Sequence, residues 1–231
     1  MKVLNKTCVP LEYSRMSDFL IAVICFLYVT AEVLAGFLLS HCAHWKSEYV
    51  RKFIHILTSF IIIPAEYCIE NPVYRIAVPV LFIFINAFAV ATDMIKGLGM
   101  KDRKRNLGLV LYPVSVSGVV LLEIFGVIAP ESAVTGVLVM GLGDGLAAVV
   151  GTKWGRHGYT VYGKYHKSIE GSLAMAAVTV VCALYFTSMS LPYALMLALI
   201  MTLVENLSPS TVDNVSVPFA AALLSEFFST L

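Results

Sequence analysis

The chain has 231 residues, of which 59% are hydrophobic and only 13% charged, with a formal net charge of +1. A soluble domain carries about 25% charged residues, so the composition excludes a water-soluble enzyme and points to a polytopic membrane protein. At about 20 residues per span, there is room for at most about eight helices in a single integral membrane domain, residues 1–231. The net charge says little by itself, and no nucleic-acid partner is expected.

In chain order, residues 1–18 are polar and the first apolar run extends past Ser40. That run is too long for the core of a signal peptide and reads as a retained spanning helix. His41-Cys42-Ala43-His44 imitates a metal clip, but nothing nearby completes the roughly four ligands of a structural zinc. The five cysteines form no CxxC pair and read as small buried hydrophobes. Eight apolar segments stand out, at about 18–40, 53–70, 72–95, 107–128, 130–150, 169–188, 191–207 and 215–230. The expected fold is an all-α bundle of about seven or eight transmembrane helices. The second, seventh and eighth segments are short, as tilted, broken or re-entrant helices are. Pro64, Pro79 and Pro113 lie inside segments, where neighbouring helices can satisfy the freed carbonyls.

Twelve of the sixteen basic residues fall in the three loops after segments one, three and five: Lys46 to Lys52, Lys96 to Arg105, and Lys153 to Lys167. The positive-inside rule puts these loops in the cytosol, with both termini outside. Residues 51–55, 141–172 and 208–214 then face one compartment, where nucleotides and their metal ions are available.

Asp144 lies inside an apolar segment among Gly141, Gly143 and Gly145. A charge in a spanning segment costs several kcal/mol unless it meets a partner or a cavity, so Asp144 is a functional candidate by default. Its carboxylate suits Mg²⁺ taken together with substrate phosphates. The glycines alone fit helix packing better than backbone contact with an anion, and Gly151 and Gly155 repeat the spacing. Two phosphate motifs nearly appear. Gly158 to Lys164 reads GxxxxGK, but Tyr165 replaces the metal-binding Ser/Thr. Gly143-x-Gly145-x-x-Ala148 mimics a dinucleotide fingerprint without a βαβ unit. The basic loop of Lys153, Arg156, Lys164 and Lys167 suits either polyphosphate or anionic headgroups. Ser168 is placed to cap a helix, with Lys167 and Glu170 one turn apart at its entrance.

Arg51, Lys52 and His55 share one face at a helix N-terminus. An ordinary membrane anchor explains the first two but not the histidine. Glu205, Asp213 and Asn214 bracket the last loop, as a second metal ligand, a base for a hydroxyl, or a helix cap. Glu32, Asn86, Asp93 and Glu123 receive no role.

Four blocks complete the reading: RKFIH at 51–55, GLGDGLAAVVGTKWG at 141–155, GKYHKSIEGSLA at 163–174 and ENLSPSTVDNVSVP at 205–218. In this order the chain resembles the membrane-embedded CTP-dependent lipid kinases: dolichol kinase, phytol kinase and yeast-type diacylglycerol kinase. The third block is also distantly similar to CDP-diacylglycerol synthases. The resemblance implies transfer of the γ-phosphoryl group of CTP to a lipid alcohol, with Mg²⁺. It carries Arg51, Lys52, Asp144 and Gly151 onto positions needed for activity, Lys167, Glu170 and Gly171 onto the nucleotide block, and Asp213 and Asn214 onto the C-terminal pair. Two departures stand out: Ala148 replaces an acidic residue of many phytol-kinase-like members, and Ser210-Thr211-Val212 lacks the usual glycine before the DN pair.

The expected site therefore has Asp144 and Glu170 on Mg²⁺, and Arg51, Lys52 and Lys167 on phosphates. Asp213 or Glu205 would activate the alcohol. Gly141, Gly143, Gly145, Gly151, Lys153, Lys164, Ser168, Gly171, His55 and Asn214 would line the nucleotide. The rivals are a phosphatidate cytidylyltransferase-like enzyme and a small ion-coupled transporter. The lipid and the oligomeric state stay open.

Overall fold

The computed structural model describes residues 16–94, 103–162, 165–209 and 211–231. Most of the basic loop expected at 96–105, together with Lys164 and Ser210, lies outside them. The described residues form ten helices in sequence: α1 Asp18–His41, α2 Ser47–Ser59, α3 Ile62–Cys68, α4 Pro72–Ala91, α5 Arg103–Ile124, α6 Pro130–Leu138, α7 Gly145–Trp154, α8 Ile169–Phe186, α9 Leu191–Leu207 and α10 Asp213–Ser229. A π-helical stretch, Val139–Asp144, joins α6 to α7 without a break. Among the described residues, five helices are long and apolar enough to cross a membrane: α1, α4, residues 106–124 of α5, the continuous Pro130–Trp154 helix, and α8. The all-α membrane bundle expected from the composition is present.

The helix from Pro130 to Trp154 is the axis of the molecule. Its most apolar window is 72% buried, against 17–39% for the other four spans. Its first half is enclosed by neighbours and apolar on every side: Ala133, Val134, Val137, Leu138, Val139 and Met140 are all buried. Small residues let its neighbours approach. A methyl group on Gly136 would sit 2.7 Å from the Pro218 carbonyl oxygen and from Ala222 Cβ of α10. Lipid tails are as apolar as leucine, so close backbone packing of this kind is what holds helices together in a bilayer.

Three features differ from the sequence expectation. The second segment begins at Ser47, about six residues early, and breaks at Phe60-Ile61 into α2 and α3. Its first two turns are amphipathic, so an apolar-run criterion misses them. Arg51, Lys52 and His55 therefore lie in the body of α2 and not at its N-terminus, and all three are buried. Finally, the loop after α7 folds into an antiparallel hairpin, β1 Gly158–Val161 and β2 Tyr165–Ser168, with Tyr159 opposite Lys167. Alternating Tyr159, Val161, Tyr165 and Lys167 around a glycine turn is a hairpin signal, overlooked in a chain read as helices and loops.

Candidate functional site: a buried charge cluster at one end of the bundle

α2 runs against the π stretch and α7, where two glycines, Gly141 and Gly145, leave room for it. A methyl group on Gly141 would lie 2.2 Å from Ser59 Cβ, and one on Gly145 would lie 2.4 Å from Ile56 Cγ1. Gly143 meets α8 in the same way, with Met175 Sδ 2.6 Å from such a methyl. The backbone here is helical throughout, and these glycines are occupied by helix packing. The same holds for Gly151 and Gly171, which bring α7 against α8: a methyl on Gly171 would stand 2.7 Å from the Ala147 carbonyl oxygen and 3.4 Å from Gly151 Cα.

The close approach of α2 puts Lys52 Nζ on the Asp144 carboxylate, with both side chains buried. Across the site, Lys167 at the end of β2 donates to Glu205 near the end of α9. Burial pulls the Lys167 ammonium down, and Glu205, Asp144 and Asp213 outweigh it, leaving its pKa above the ordinary lysine value. Arg51 pairs with Glu48 at 2.6 Å. Its guanidinium also approaches Gly108 of α5, where a methyl group would stand 3.8 Å from Nη1 and 2.9 Å from Asn214 Nδ2. Asn214 donates to the Gly108 carbonyl at 3.2 Å. Asp213 Oδ1 accepts from the backbone N–H groups of Thr211 and Asn214, which closes the last loop into a cap for α10.

These pairs form one electrostatic unit. The charges of Lys52 and Lys167 act on Asp144. Those of Asp144 and Lys52 act on both Glu205 and Asp213. Residues from α2, the π stretch, β2, α9 and α10 thus meet, although they lie up to 162 positions apart between Arg51 and Asp213. Gly108, buried beside Arg51, and the half-exposed Glu48 that pairs with Arg51 were missed. Nothing but proximity to the basic loop marks them in the sequence.

Other expected members lie elsewhere. Glu170, expected beside Asp144 on a metal, is bonded to His157: its Oε1 lies 2.8 Å from the ring Nδ1 and also accepts from the His157 backbone N–H. It fastens the start of the hairpin to the first turn of α8. Ser168 caps that helix, accepting from the Gly171 N–H at 3.1 Å. Lys153 is exposed, with Nζ 5.0 Å above the Trp154 ring. No group of three or more His, Cys, Asp or Glu able to hold a metal occurs among the described residues. Tyr159 ties the hairpin down, its hydroxyl 2.6 Å from Ser172 Oγ and donating to Asn206 Oδ1 at 2.8 Å.

Phytol kinase of Synechocystis sp. is 34% identical to the chain over 208 residues, which is 86% of this chain and 87% of that protein. The chain belongs to the phytol kinase family of membrane lipid kinases. No family model and no solved structure matches it. Membership and the five spans make it an integral membrane lipid kinase. For such a protein, the buried charges at one end of the bundle are the natural place to look for phosphate chemistry.

Proposed function

We propose that the protein transfers the γ-phosphoryl group of CTP to the hydroxyl of an isoprenoid-type lipid alcohol, at the cytosolic face of the membrane. The observation that carries this reading is the set of paired charges Lys52–Asp144, Lys167–Glu205 and Arg51–Glu48 gathered at one end of an apolar bundle. Each of these cations has a carboxylate partner. A polyphosphate entering with a divalent cation allows an exchange: ammonium and guanidinium groups turn to phosphate oxygens, and carboxylates are released toward the metal. That exchange leaves no charge stranded in the bilayer, where an unpaired one is costly.

The carboxylate oxygens of Asp144, with Glu205 and Asp213 in the same unit, are hard donors of the kind Mg²⁺ takes. One or two protein carboxylates suffice when phosphates supply the rest. The bound ion would neutralise charge on the phosphates. Arg51, Lys52 and Lys167 would hold the phosphates in line with the incoming hydroxyl, which is the larger part of catalysis in phosphoryl transfer. The alcohol oxygen bonds to the γ-phosphorus, the bond to the bridging oxygen breaks, CDP leaves, and the hydroxyl proton is released. The alcohol class follows the relative, a kinase of phytol.

The test uses the full chain in liposomes with Mg²⁺ and CTP labelled on either the α- or the γ-phosphate. Phytol, polyprenols, diacylglycerol and phosphatidate are offered as acceptors. Label should reach an alcohol from γ-labelled CTP only. Label entering phosphatidate from α-labelled CTP instead would make the protein a cytidylyltransferase, and transfer from ATP but not CTP would refute the nucleotide assignment.

A further inference from the structure

A cavity of about 560 Å³ lies between α1, the α2–α3 segment, α4 and α5. Leu109 and Val120 of α5 both line it, so it runs roughly 16 Å along the bundle at 1.5 Å per residue. Its walls are almost wholly apolar, with Val33 on α1, Ile62 at the start of α3 and Phe82 on α4 among them. It opens to the lipid side between α1 and α4, where the lining residues Leu34 and Ile85 are 59% and 39% exposed. At its far end stands Arg75, fixed by Glu66 and Glu123.

The other end is different. His55 lines the cavity there, its ring tilted against that of Tyr112 at 4.6 Å between centroids. The Tyr112 hydroxyl donates to the His55 backbone carbonyl at 3.2 Å, which fixes the tyrosine but leaves the imidazole untouched. His55 Nε2 is buried and has no hydrogen-bond partner among the described residues. Thr58, which also lines the cavity, is already engaged with Glu32 at 2.7 Å. A buried ring nitrogen without a partner is costly, and a ligand that hydrogen-bonds to it removes that cost. His55 is one turn beyond Arg51 and Lys52 on α2, so it stands between the cavity and the charge cluster.

We propose that this cavity is the binding slot for a single-chain lipid alcohol. The chain lies along α1 and α4, and the hydroxyl is hydrogen-bonded to His55 Nε2 at the edge of the phosphate site. The inference rests on the lipid-kinase reading and adds the substrate's place and its limit. The Arg75 cluster ends the slot, so a chain gains nothing from length beyond that point. Entry is sideways from the bilayer, so the alcohol never crosses water.

The experiment has two arms. In the first, alcohols of increasing chain length are assayed with wild type, Val33→Trp, Ile85→Trp, His55→Phe and His55→Gln. KM for the alcohol should fall with chain length and then level off. Filling the slot with either tryptophan should raise that KM roughly tenfold with the nucleotide KM unmoved. Phenylalanine at 55 should lower kcat roughly tenfold to a hundredfold, with glutamine restoring part of it. An active enzyme whose alcohol KM ignores both tryptophans overturns the proposal. In the second arm, an isoprenoid alcohol carrying a photoreactive tail is irradiated on wild type without nucleotide. Labelling in residues 25–37 and 78–94 supports the slot, even if the protein phosphorylates no alcohol at all, in which case only the kinase reading fails. Labelling confined to other helices overturns the slot while leaving the kinase reading to the first arm.

Discussion

The bundle buries ionic groups at both ends, and the two sets are built differently. At one end, Lys52, Lys167 and Arg51 each hold a separate carboxylate. At the other, Arg75 alone serves two carboxylates, Glu66 at 3.2 Å and Glu123, and also donates to the Ile69 carbonyl at 3.0 Å. The first arrangement can change partners when an anion arrives, because cations are numerous and each is singly held. The second cannot, because one cation, Arg75 of α4, is held at once by carboxylates of α3 and α5 and by the Ile69 carbonyl. Buried charge in a membrane protein is therefore two things: a site where partners are exchangeable, and a rivet where they are not.

Substitutions at the two ends should separate accordingly. Asp144→Asn should cut phosphoryl transfer by roughly 10³-fold, the scale of losing one preorganised electrostatic group. Combining Lys52→Met with Asp144→Leu should recover thermal stability but not activity, since a matched apolar pair replaces buried ions at little cost. Retained activity in that double variant would place the chemistry elsewhere. Arg75→Met should behave in the opposite way. It strands two carboxylates and should destabilise the folded protein in detergent by about 3–5 kcal/mol, while CTP affinity of the folded fraction stays unchanged. A drop in CTP affinity there would mean that the two ends communicate. The smallest effect is expected at Thr211, whose φ of 96° is strained for a β-branched residue. Thr211→Gly should raise stability by about 1 kcal/mol, read as an upward shift in Tm, and leave the Asp213 cap in place.

That threonine shows how far the sequence could be read. The missing glycine before the DN pair was visible as a departure from the resembled family; its consequence, a left-handed threonine, needed the backbone. Asp144 and Glu205 were legible because charges are rare in apolar segments, Arg51, Lys52 and Lys167 because they fall in blocks that carry the family resemblance, and eight segments gave nearly every helix. What stayed hidden was relational. The meeting of Gly108 with Arg51 and Asn214 joins three helices far apart in the chain, and no local pattern announces it. The cavity is likewise a gap between helices α1 to α5, and no single one of them reveals it. Glu170 was misjudged for the opposite reason: its spacing from Lys167 suggested a shared site, while the hairpin turned it to His157.

The π stretch before Asp144 has one more effect. A π turn holds an extra residue, so every side chain after it is rotated by about 100° from where α-helical counting puts it. A helical wheel drawn straight through Pro130–Trp154 would thus be out of phase across that turn. The single helix presents two unrelated faces, one set by α6 and one by α7. Deleting one residue between Val139 and Asp144 would bring the two into phase, keep a helix of nearly the same composition, and swing α7 away from the Lys52 side.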